Sequence, residues 1–69
     1  MTDMITTADM ITTADKLACA RRELAMRKQC YPRWVEQGKI SAGQAAHQLA
    51  CIEAIVRDYE DALVEEAVP

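Results

Sequence analysis

The chain carries one histidine and three cysteines, and two of these reactive groups, His47 and Cys51, stand four positions apart. On a helix that spacing puts both on one face, where an imidazole nitrogen and a thiolate could ligate a zinc-like ion. No third and fourth ligand follow at diagnostic spacing, so such a site would need Cys30 or a second subunit to complete it. A polar-edge histidine beside a packed cysteine is the simpler account, because free cysteine behaves as a small hydrophobe. No metal and no cofactor is expected. Catalysis has no visible constellation either: a nucleophile needs a base and an orienting partner, and neither the lone histidine, the scattered Cys19, Cys30 and Cys51, nor any Gly-rich loop supplies one. No catalytic residue is expected.

Binding chemistry is better represented, in the run Met26-Arg-Lys followed by Tyr31-Pro-Arg-Trp-Val35. Trp, Tyr and Arg are the residue types that dominate protein-binding hot spots, so Tyr31, Arg33, Trp34, Arg27, Lys28 and Met26 are the candidate partner contacts. Arginine forks and aromatic faces also suit phosphate and base, which leaves a small anionic nucleotide as an alternative ligand. The plain alternative is that Tyr31 and Trp34 pack locally while the cations pair with acidic neighbours. Duplex nucleic acid fits poorly, since a recognition unit normally needs a third helix and a basic surface.

The elements that must position these residues are helical. At 69 residues, half of them apolar with Ala prominent, no Phe and only two Gly and two Pro, the chain has little turn chemistry for a sheet. The first helix is predicted from about 16 to 37, opening near Thr13 to Asp15 where Thr or Asp can cap free amides. On a wheel of about 100° per residue, Leu17, Ala20, Leu24, Tyr31 and Val35 share one stripe, and Cys19, Met26, Cys30 and Trp34 form a second beside it. Glu23, Arg27 and Lys16 interrupt the apolar arc, while Arg21, Arg22, Lys28, Gln29 and Arg33 take the opposite side. Pro32 lacks an amide donor and crowds the carbonyl four residues back, so the helix is expected to kink there. Gly38 is a natural left-handed terminator, with Ile40 placed for the accompanying hydrophobic contact.

The second helix is predicted from 42 to 65. Ser41-Ala-Gly-Gln44 is a capping box, and Ala45, Leu49, Ile52, Val56, Tyr59 and Leu63 follow at alternating spacings of four and three, a heptad seam. A short connection makes the two helices antiparallel neighbours. The fold class is therefore an all-α antiparallel hairpin. So small a core is marginal alone, and Cys19, Met26, Cys30 and Ile55 would remain open to water, so a homodimeric four-helix bundle is expected to close over them.

Before the hairpin, Met4-Ile-Thr-Thr-Ala-Asp9 repeats as Met10-Ile-Thr-Thr-Ala-Asp15. Two copies of six residues cannot build a solenoid. A gene duplication explains them, and residues 1–15 are expected to form a flexible arm, with Met4 and Met10 as alternative starts and 66–69 as a frayed tail.

Charge is segregated along the chain. Residues 1–15 hold three Asp, giving −3; residues 16–40 hold seven cations against Glu23 and Glu36, giving +5; residues 41–69 hold Arg57 against six carboxylates, giving −5. No stretch approaches the roughly 20 apolar residues of a bilayer span, and the acidic start lacks the basic and apolar regions of a signal peptide. Three cysteines without C-x-x-C spacing fit reduced thiols, so a cytoplasmic setting in a host cell is expected.

Glu23-Leu-Ala-Met-Arg27, Tyr31-Pro-Arg-Trp-Val35, Gly38-Lys-Ile40 and Ala54-Ile-Val-Arg-Asp-Tyr59 resemble a family of small proteins of unknown role carried by bacteriophages and prophages. The resemblance spans Leu17 to Tyr59, and Tyr31-Pro-Arg-Trp-Val35 is its most specific part. It implies a phage accessory protein with no assigned activity. The expected function is that of a non-enzymatic module that binds and modulates or inhibits a bacterial host protein; the alternatives are nucleotide binding or a structural part of a phage assembly.

Overall fold

The structure, a computed structural model, describes residues 10–68. Two helices, α1 (Thr13–Glu36) and α2 (Ala42–Ala67), pack side by side as an antiparallel hairpin. The first copy of the hexapeptide repeat lies outside the described residues. The second enters the fold: Thr12 is the N-cap of α1, and Thr13 to Asp15 form the helix's first turn, so α1 begins earlier than position 16.

The reason is a capping box formed by the last four residues of the repeat, Thr12 to Asp15. The Asp15 amide donates to the Thr12 hydroxyl at 3.0 Å, and the Thr12 amide donates to the Asp15 carboxylate at 3.0 Å, so two otherwise free donors are satisfied reciprocally. The backbone hydrogen bond from Thr12, reinforced by its hydroxyl, holds the Asp15 carboxyl below the ordinary aspartate value of 3.8. At the start of α2, Ser41 and Gln44 form the same device, with the Gln44 amide donating to Ser41 Oγ at 3.0 Å and the Ser41 amide to Gln44 Oε1 at 2.9 Å.

Between the helices, Gly38 adopts φ 72°, a conformation that L side chains reach only with strain. It lets the Gly38 amide donate to the Val35 carbonyl and the Lys39 amide to the Trp34 carbonyl, at 3.0 and 2.9 Å, the paired bonds of a Schellman cap. Ile40 is half-buried beside it. Pro32 lies inside α1, which runs unbroken through it to Glu36, so no second helix starts at the proline. At the far end, α2 continues past Glu65 to Ala67, and the Val68 amide closes it on the Val64 and Glu65 carbonyls at 3.2 and 3.3 Å.

The core is one line of contacts. Leu17, Ala20, Ile52 and Val56 are buried, with Leu24, Tyr59 and Leu63 packed against them and Ala45 buried nearer the loop. Every residue of the α2 seam is buried or half-buried. Yet among the described residues no side chain is fully enclosed, because two helices touch along only one stripe each.

Candidate functional site

Three interhelical contacts set the register and the two faces of the hairpin. Arg21 Nη2 pairs with Glu60 Oε2 at 2.8 Å, the Thr13 hydroxyl donates to the Glu66 carboxylate, and Arg27 Nη1 donates to the Gln48 carbonyl at 3.0 Å. At about 100° per residue, Arg21 and Glu60 lie on one side of the contact line, together with Lys28 and Glu53. Cys19, Glu23, Met26, Cys30 and Trp34 of α1 lie on the other side, together with Cys51, Ile55 and Ala62 of α2. The first face is spanned by an ion pair between the helices; the second is mostly apolar, with Glu23 the one charged residue among these, and open.

On the open face Met26 is 44% and Ile55 43% exposed, and Cys19 and Cys51 are exposed while Cys30 is half-buried. Toward the start of α1 this face deepens into a groove of about 470 Å³, lined by Ile11, Lys16, Cys19, Glu23, Ile52 and Tyr59. Nothing in the spacing of the sequence marks that groove, because Ile11 precedes the helix and reaches the groove only through the Thr12 cap.

The sequence-predicted partner contacts are not gathered in one place. Tyr31 and Trp34 are half-buried and pair with ring centroids 5.4 Å apart and planes tilted by 35°, a favourable aromatic arrangement. Arg33 is exposed next to them, on the outer border of the open face. Lys28 is exposed as well but falls on the ion-paired face, about 140° around the helix from Arg33.

Arg27 is spent inside the hairpin. The positions Leu17, Ala20, Leu24, Arg27 and Tyr31 follow the same alternation of three and four as the α2 seam, so Arg27 occupies a seam position. Its side chain is only 20% exposed, and its Nε pairs with Glu23 Oε1 at 2.8 Å one turn back. The guanidinium is thus satisfied by its own helix and by the α2 backbone, and its aliphatic stem covers the seam. Within one hairpin Arg27 is therefore tied to the fold, and Lys28 and Arg33 diverge from it and from each other.

His47 and Cys51 do meet, with Cys51 Sγ 3.6 Å from His47 Nε2 on the exposed side of α2. Among the described residues no further His, Cys, Asp or Glu joins them to make a group of three. No helix of the described residues is long and apolar enough to cross a membrane.

No protein-family model matches this chain, and neither a curated protein nor a solved structure matches it.

Proposed function

We propose that this chain is a non-enzymatic interaction module, an accessory protein of the phage type that works in the cytoplasm of a bacterial cell by binding and modulating a host protein. The open face is its binding surface, with Tyr31, Arg33 and Trp34 at the loop end as the contacts for the host protein. Pro32 deprives the Lys28 carbonyl of its helical partner, and a kink there would present the last turn, with Trp34, to that protein. The open face also suits dimerisation into a four-helix bundle.

One observation carries this reading: the two faces of the hairpin are unlike. One is spanned by Arg21 and Glu60 and, among the described helical residues, exposes a single large apolar side chain, Val64, near the end of α2, whereas the other leaves Met26 and Ile55 more than two-fifths exposed beside an apolar groove. Apolar surface left in water forgoes about 25 cal/mol per Å², and a contiguous exposed patch marks an interface. Arg33 and Trp34 at its edge are hot-spot residue types.

Affinity capture from a bacterial lysate, followed by mass spectrometry, tests the proposal. The wild-type chain is expected to retain a defined protein that Trp34→Ala and Met26→Glu lose while their far-ultraviolet circular dichroism stays helical. An unchanged set of captured proteins for both variants would refute the use of this surface.

A further inference from the structure

The open face has a partner whose chemistry is on the page. We propose that a second copy of this chain covers it, related by a twofold axis parallel to the helices, so that α1 of each copy lies on α2 of the other. The inference rests on reading the open face as protein-binding, and it names the occupant.

Charge selects this arrangement from the two that a twofold axis allows. Two hairpins stacked face to face place α1 either on α1 of the partner subunit or on its α2, depending on whether the axis runs across the helices or along them. Residues 16–40 carry a net +5 and residues 41–69 a net −5. Arg22 and Arg33 border the open face along α1, Asp58 and Glu65 border it along α2, and all four are exposed. With α1 on α1 the cations face cations along one rim and the carboxylates face carboxylates along the other. With α1 on α2, taking Arg21 opposite Glu60 as the level, Arg22 comes beside Asp58 on each rim while Arg33 stays clear of the carboxylates at the loop end, and every neighbouring pair of helices in the bundle is antiparallel and opposite in net charge.

The register supports the same choice. An axis parallel to the helices leaves every residue at its own level, and Arg21 opposite Glu60 gives that level within one copy. Stepping forward along α1 and back along α2 from this pair, four pairs of the open face match like with like, while Glu23, already paired with Arg27, comes level with Asp58 and Trp34 with His47. Cys19 comes level with Ala62, Met26 with Ile55, Cys30 with Cys51, and Gln37 with Gln44. Across the dimer these become α1 to α2 contacts: a small pair, a large apolar pair, a thiol pair and an amide pair. Met26 and Ile55 are both among the exposed large hydrophobics of the single hairpin, and each would cover the other twice in the symmetric bundle. Tyr31, Arg33 and Trp34 remain at the loop end, where host contacts were assigned.

The thiol pair makes the arrangement measurable. Two full-length variants are needed, one keeping only Cys30 (Cys19→Ser, Cys51→Ser) and one keeping only Cys51 (Cys19→Ser, Cys30→Ser), each checked for helicity. Mixed and oxidised with copper phenanthroline in air, they are expected to give a disulfide-linked heterodimer on a non-reducing gel that neither variant gives alone. Sedimentation equilibrium of the wild type is expected to return twice the chain mass. Crosslinking of the Cys30-only variant with itself would overturn the arrangement, since it requires α1 on α1. A monomeric wild type whose captured protein is lost on Ile55→Glu would overturn the second copy while keeping the face as a binding surface. A monomer indifferent to Ile55→Glu would overturn both.

Discussion

Arg27 offers the sharpest test of how the hairpin is held together. If it were a surface contact for a partner, its removal would leave stability untouched; in the structure it bridges the helices. Its Nη1 bond to the Gln48 carbonyl, at 3.0 Å and exposed, is a hydrogen bond from a charged donor and falls at the low end of the range of about 1.5–3 kcal/mol that such bonds contribute. The pair with Glu23 adds about 0.3–0.5 kcal/mol as a helical i,i+4 contact. Arg and Ala have similar helix propensities, so the backbone term nearly cancels. Arg27→Ala should therefore cost about 2 kcal/mol, a fall of roughly 10 °C in Tm for a domain of this size. Arg27→Met, which fills the seam without a charge, should melt close to the wild type, as apolar replacements of partly buried ionic groups often do. Thermal unfolding followed by circular dichroism at fixed protein concentration reads all three. An Arg27→Ala variant that melts within about 2 °C of the wild type would refute the bridging role.

Other consequences follow from single residues. Asp15 has its pKa lowered by the Thr12 cap; such a group adds stability above its unfolded value and loses it as pH falls through the folded one. The first turn of α1 should fray as pH drops below about 4, seen as loss of amide protection at Asp15 and Lys16, and Asp15→Asn should flatten that response. Gly38→Ala forces a left-handed φ of 72° on a residue with a Cβ, although nothing lies within 4 Å of that atom. The loss should be about 1 kcal/mol from backbone strain alone, read as a lower urea midpoint with an unchanged slope. Ile52→Ala removes the centre of the buried line at 6% exposure and should cost about 2–5 kcal/mol, enough to leave the chain largely unfolded at 37 °C by circular dichroism.

Much of this fold was legible because its signals are local. Ser41 and Gln44 form the box that their spacing of three demands, and Gly38 ends α1 in the left-handed conformation that only glycine reaches freely. The α2 seam from Ala45 to Leu63 is buried or half-buried throughout. The start of α1 was legible only in part: the residue types place the cap at Thr13 to Asp15, and it falls one residue earlier, on Thr12, from which Asp15 can return a bond. The candidate site was read less well. Arg27 looked like a break in an apolar arc, since a wheel shows direction but not reach, and a guanidinium is long enough to find the Gln48 carbonyl on the neighbouring helix.

By itself, then, the order of residues determined the two helices, their caps, the turn and the apolar stripe each must hide, because capping bonds and helical periodicity act within a few positions along the chain. Only the tertiary structure decided the register of α1 on α2, the commitment of Arg27 to the seam, and the division into an ion-paired face and an open one. Those depend on which side chains meet across the hairpin, such as Arg21 with Glu60, thirty-nine positions apart. The registry of such pairs is set jointly by both stripes packing at once, which no local spacing records.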